Sequence, residues 1–124
     1  MSVALLVVDA ANVVGSKPDG WWRDRAGATA RLRDGLVGLN DAGLPDLPGP
    51  LEVVLVVEGQ ARDVPGTEGV RVERAVSSGD DTIVALVAAE DTGRRVVVVT
   101  ADRELRARVT ALGAEVLGPR SVPR

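Results

Sequence analysis

Hydrophobic positions along this chain fall in short unbroken blocks, each closed by a polar residue. Val3 to Val8 is a β-branched and aliphatic run that stops at Asp9; Leu51 to Val57 stops at Glu58, and Arg95 to Val99 stops at Thr100. A strand wetted on one face would alternate apolar and polar residues, so continuous runs predict strands buried on both faces of a parallel sheet. Shorter runs at Val70 to Val76 and Glu115 to Leu117 bring the expectation to about five strands.

The segments between them carry helical spacing. Trp22 to about Ala42 places Leu32, Leu36, Val37 and Leu39 on one side and Arg and Asp on the other, despite Gly27, Gly35 and Gly38. A second helix is expected from about Asp80 to Asp91, with Ile83, Leu86 and Val87 inward, and a third from about Arg103 to Leu112, closed by Gly113 just past its C-cap. Gly43 to Pro50, with Pro45, Pro48 and Pro50, reads as a loop, and Gly59 to Gly69 as a crossover too short and polar for a full helix. Buried strands alternating with helices imply an α/β fold of three layers, αβα, around a parallel sheet. The 124 residues, 45% of them hydrophobic, suit one domain spanning 1–124, with no repeat or linker.

Composition then narrows the chemistry. No apolar stretch approaches the roughly 20 residues of a membrane span, and Met1 and Ser2 before Val3 give neither a basic flank nor a cleavage pattern. The expectation is a soluble cytoplasmic protein with no membrane partner. Cysteine, histidine and tyrosine are all absent, which removes a disulfide framework and most neutral-pH bases and covalent nucleophiles. Any chemistry must run through carboxylates, directly or by way of a metal they hold. The net charge of -3 argues against coating nucleic acid by bulk attraction, yet allows a cation-binding acidic site beside local arginines.

Ligands of open parallel sheets bind at the carboxyl ends of the strands. There the sequence places Asp9-Ala10-Ala11-Asn12, then Ser77-Ser78-Gly79-Asp80-Asp81, then Thr100-Ala101-Asp102-Arg103. Every one of these edges presents an aspartate. Such carboxylates repel one another unless a cation sits among them, and Mg²⁺ or Mn²⁺ suits an all-oxygen set.

Val7-Val8-Asp9-Ala10-Ala11-Asn12-Val13, Ser78-Gly79-Asp80-Asp81-Thr82-Ile83 and Val99-Thr100-Ala101-Asp102-Arg103 resemble the ordered motifs of NYN-domain proteins in the PIN-like nuclease superfamily. The resemblance covers nearly the whole chain. It implies a five-stranded α/β domain whose acidic metal site cleaves RNA, or less often DNA. By that likeness Asp9 is the principal metal ligand, Asn12 supports it or the substrate, Asp80 or Asp81 completes the set, and Asp102 holds the metal or its water. A further acidic residue expected near the site stays open among Asp24, Glu58 and the second of the paired aspartates. The same resemblance leaves open a homodimer or an inhibitory protein partner.

Each residue also has a plain structural reading. Asp9 can begin a turn, Asn12 can bond locally, Ser78 with Asp81 fits a capping box, and Asp102 can cap the third helix beside Thr100. Because Asp81 has a capping role to fill, Asp80 is the better ligand candidate. The segment from Gly15 to Arg25 holds the only lysine and both tryptophans of a chain with no Phe or Tyr. It reads as a substrate loop in which Trp21 or Trp22 stacks on an unpaired base while Ser16, Lys17, Arg23 and Arg25 meet the backbone. Trp22 can equally anchor the first helix, and Ser78, Thr100 and Arg103 complete the expected substrate contacts. Arg103 also reads as solvated surface, with Arg94, Arg95, Arg106 and Arg108.

Two rivals are weaker. No Gly-x-Gly-x-x-Gly follows a strand and no phosphate-binding Gly-x4-Gly-Lys-Ser/Thr is present, and an aspartyl phosphatase would want Asp where Ala11 stands. A catalytically inactive nucleic-acid-binding or protein-interaction module on the same fold remains as the alternative.

Overall fold

The computed structural model of the chain describes residues 3–90 and 93–123. The first uninterrupted run forms β1 (Ala4–Asp9), the centre of a five-stranded sheet. β1 pairs in parallel with β4 (Leu51–Val57) on one side and β6 (Val96–Val99) on the other. β5 (Arg71–Arg74) and β7 (Glu115–Leu117) close the two edges, also in parallel, giving the order β5-β4-β1-β6-β7.

Because successive side chains of a strand point to opposite faces, the apolar runs feed two cores at once. Leu6 and Val8 of β1, with Val53, Leu55 and Val57 of β4 and Val97 and Val99 of β6, pack beneath α1 (Ala10–Gly15) and α2 (Arg25–Leu36). Leu5, Val7, Val54, Val56, Val96 and Val98 face the other way onto Ile83 and Val87 of α4 (Gly79–Ala88) and Leu105 and Val109 of α5 (Arg103–Ala111). This is the expected three-layer αβα fold.

The helices differ from the sequence expectation in detail. In place of one helix from Trp22 to Ala42, the chain makes a 3₁₀ turn at Trp21–Arg23, then α2, then a short α3 (Leu39–Ala42). Asp24 ends the turn and restarts the chain by accepting the Gly27 N–H at 2.9 Å, and Gly38 marks the second break. The segment directly after β1 is the helix α1, which starts at Ala10 with no intervening residue and which the apolar pattern does not predict. The proline-rich stretch 43–50, expected as a loop, folds into a small antiparallel pair, β2 (Gly43–Leu44) and β3 (Leu47–Pro48). The crossover from β4 to β5 lacks a full helix, as expected, and has only a 3₁₀ turn at Gly59–Ala61. Gly113 follows α5 with a φ of 94°, the left-handed conformation its C′ position favours. Asp91, expected as the last residue of the second helix, lies outside the described residues, as do Met1 and Ser2.

The amino rim of the sheet is charge-matched. Arg94 bonds Glu90 at 2.6 Å and Glu52 at 2.8 Å, and Arg95 forks onto Glu115 at 2.6 and 2.8 Å. Arg95 is exposed surface, as expected, though paired with Glu115, whereas Arg94, expected as solvated too, has its side chain only 14% exposed between Glu52 and Glu90. No described helix is long and apolar enough to cross a membrane.

β1 is the strand on which both cores rest, so truncating it should be felt in full. Leu6→Ala is expected to destabilise by about 2–5 kcal/mol, seen as a lower urea midpoint with an unchanged slope, whereas Leu112→Ala, at a position 49% exposed, should stay within about 0.5 kcal/mol.

Candidate active site

The order of the strands reverses at β1. The chain moves outward from β1 to β4 and β5, then returns over the sheet to β6 and outward again to β7. Helices leave the neighbouring strands β1 and β6 on opposite faces, which opens a crevice outside their carboxyl ends. Asp9 is the last residue of β1 and Thr100 the first beyond β6.

Asp9 is 4% exposed and Thr100 fully buried. The Thr100 hydroxyl donates to Asp9 Oδ2 at 2.9 Å, and the Asn12 N–H approaches Asp9 Oδ1 at 3.4 Å from the first turn of α1. The same hydroxyl accepts the Asp102 N–H at 3.1 Å, and Asn12 Oδ1 accepts the Ala101 N–H at 2.8 Å. Two loops that are 89 to 91 residues apart in the chain are thus locked around one carboxylate. Asp102 uses Oδ1 to accept the Leu105 N–H at 2.9 Å, capping α5.

Asp80 arrives from the opposite side, on the first turn of α4, where Ser78 caps the helix by accepting the Asp81 N–H at 3.2 Å. Glu58, the residue that ends the β4 run, reaches the same helix start and accepts the Gly79 N–H at 2.8 Å. A Cβ at position 79 would stand 3.1 Å from Glu58 Oε1, so the glycine is what allows this close approach.

Together Asp9, Asn12, Glu58, Asp80 and Asp102, with Ala11, line one open hollow of about 260 Å³. The three strand ends singled out in the sequence do meet here. Of the candidates for a further acid, Glu58 lines the hollow; Asp24 caps α2 instead. The position of Glu58 directly after an apolar run, like that of Asp9, is the sequence signal that points to it. Asp81, expected in the metal set beside Asp80, is turned to Arg108 at 3.1 Å, because adjacent helical residues point in different directions.

The hollow is electrostatically loaded. Among the described residues, no salt bridge reaches Asp9, Glu58, Asp80 or Asp102, in contrast to the amino rim. Burial raises the Asp9 pKa to about 6; the Thr100 and Asn12 hydrogen bonds oppose the rise, and the charges of Asp80 and Glu58 add to it. Asp80 is also raised, first by partial burial and then by Asp102 and Glu58, against the pull of Arg108.

Oxygen donors with surplus negative charge are the chemistry a hard divalent cation takes. As they stand, however, no group of three or more acidic side chains among the described residues is placed to hold a metal ion. Asp9 and Asp102 are turned onto their own hydrogen-bond donors.

The expected substrate residues fall into three groups. Ser78 and Thr100 are structural supports of the rim, and Arg103 is exposed at the first position of α5. Trp21 and Trp22 meet edge to face at 5.9 Å, with Arg25 over Trp21 at 5.3 Å and Arg23 over Trp22 at 6.0 Å. Trp22 is 53% exposed and therefore not a core anchor. Ser16 donates to Val13 O at 2.6 Å at the end of α1, and Lys17 lines a separate cavity with Arg31 and Leu32 on the α1–α2 side. Neither borders the acidic hollow.

No protein-family model matches the chain, and no curated protein is similar to it in sequence. Its fold, however, is that of Rae1 (YacP) from Bacillus subtilis. The crystal structure of that protein superposes with a TM-score of 0.73 at 18% identity, covering 98% of this chain and 71% of Rae1. A mutant form of Rae1 gives the same TM-score at 19% identity, over 96% of this chain and 72% of the other. The αβα architecture is thus similar to that of Rae1 over nearly the whole of this chain.

A raised Asp9 pKa has a definite sign in stability. Below about pH 3.8 the group is protonated in both states; as the pH climbs from there to about 6, the unfolded chain ionises it first and the folded state loses ground. The loss is on the order of 2–3 kcal/mol and persists at higher pH. In chelator-treated buffer at pH 8, Asp9→Asn should therefore melt several degrees above the wild type, with the gap closing by pH 4. An equal gap at both pH values would show that Asp9 is not strained by its charge.

Proposed function

We propose that this protein is a metal-dependent nuclease that hydrolyses phosphodiester bonds in RNA, with Mg²⁺ or Mn²⁺ held among Asp9, Glu58, Asp80 and Asp102. The observation that carries the reading is the convergence of four carboxylates, uncompensated by any described salt bridge, at the switch point of a PIN-like sheet. Helix-start hydrogen bonds occupy one oxygen each of Asp9, Asp102 and Glu58, but they do not offset the mutual repulsion of four carboxylates, which burial of Asp9 makes costlier.

When bound, such a cation lowers the proton affinity of water and offsets charge on a phosphoryl oxygen. The residues of the chain do the rest. Asp9 is the fixed member of the donor set, since Thr100 and Asn12 restrict its carboxylate. Asp80 and Glu58 are only partly buried, so they can swing to close the set that the present side-chain poses leave open. Asn12, tied to the Ala101 N–H, keeps the β1 and β6 loops in register while substrate is held.

One observation favours a second reading, a catalytically inactive nucleic-acid-binding or interaction module: the carboxylates do not point at a common centre. Turnover separates the two. Labelled single-stranded RNA incubated with Mn²⁺ should be cleaved by the wild type, with Asp9→Asn reducing the rate by more than about 100-fold and Thr100→Val by on the order of 10–100-fold through loss of positioning. A pure, folded wild type that neither cleaves nor binds Mn²⁺ would favour the inactive module.

A further inference from the structure

Beside the acidic hollow lies a second cavity of about 350 Å³, and the two share Ala11 and Glu58 as a common wall. Trp21 and Arg25 also line the second cavity, with Val14 and Ser77. The volume falls at the lower end of small-molecule sites, about 300–1,000 Å³, and suits one planar ring system. Trp22, the chain neighbour of Trp21, is 53% exposed, so the aromatic segment that lines the cavity is open to solvent.

The lining chemistry identifies the ligand. The Arg25 guanidinium lies 5.3 Å from the Trp21 ring centre, so a planar cation is held against an aromatic support in the cavity wall. Guanidinium and indole planes are the surfaces on which unstacked bases rest, and Ser77 in the lining is a polar group available to a base edge. Contact with the acidic hollow through a shared wall places such a base next to the phosphodiester held there.

We infer that this cavity is a subsite for a single unpaired nucleobase, lodged against the Trp21–Arg25 pair and adjoining the phosphodiester at the acidic hollow. Its role beside a scissile bond rests on the nuclease reading above; the occupancy of the cavity does not. A paired base, stacked on both sides and bonded to its complement, cannot enter without unpairing.

The chain has two tryptophans and no other aromatic residue, so Trp22→Phe leaves Trp21 as a lone fluorescent reporter at the cavity. In Ca²⁺ buffer, an oligoribonucleotide should quench Trp21 emission and bind at least about 10-fold more tightly than an abasic strand of equal length. In the same background, Ala11→Leu, which crowds the cavity, and Arg25→Gln, which removes the planar cation, should each bring that preference close to one, with circular dichroism reporting that the fold is retained. Equal affinity for the two strands, or a preference that survives both substitutions, would overturn the inference. Base-dependent quenching without Mn²⁺-dependent hydrolysis would keep the subsite and remove the nuclease reading; hydrolysis with equal affinity for base-bearing and abasic strands would do the reverse.

Discussion

The buried carboxylate of Asp9 is the constraint around which this molecule is arranged. It ends the central strand, has almost no contact with solvent, and faces the charges of Asp80 and Glu58 without a basic partner among the described salt bridges. Only a hydroxyl and a backbone amide offset its ionisation. A sheet with β1 at its edge could have wetted the group; the order β5-β4-β1-β6-β7 puts strands on both sides of it.

The two rims of the same sheet show opposite electrostatic solutions. At the amino rim Arg94 and Arg95 neutralise Glu52, Glu90 and Glu115 in short contacts, which fasten β4, β6 and β7 where the strands begin. At the carboxyl rim the chain concentrates acids and uses its hydrogen bonds to orient them: Thr100 serves both Asp9 and the start of α5, and Gly79 lets Glu58 reach the start of α4. Stability is built at one end and strain stored at the other, a division expected where charge awaits a ligand.

The sheet is legible in the sequence because doubly buried strands need uninterrupted apolar runs, and the residue ending each run then has to lie on the rim. Asp9, Thr100 and Asp102 follow directly, and Asp80 is preferred over Asp81 because the capping of α4 occupies one of the pair. The breaks within residues 21–42 are less legible, since Asp24 as a cap and Gly38 as a stop are local features inside an otherwise continuous helical pattern. The helix α1 escapes the pattern because six residues directly after a strand, with Asp9 itself as the cap, make too few turns to show a period. Glu58 stays one of three candidates in the sequence because choosing it requires knowing that α4 begins beside the end of β4. The side-chain poses at the hollow, which leave the acids short of a common point, have no signature in sequence.

The central claim is that these carboxylates share a cation. Anomalous diffraction from crystals soaked in Mn²⁺ tests it most directly. The account predicts one dominant anomalous peak in the hollow at direct ligand distance from Asp9, with Asp80 and Glu58 rotated toward it. A map with no peak there, and Asp9 still turned onto Thr100 among unmoved neighbours, would contradict it.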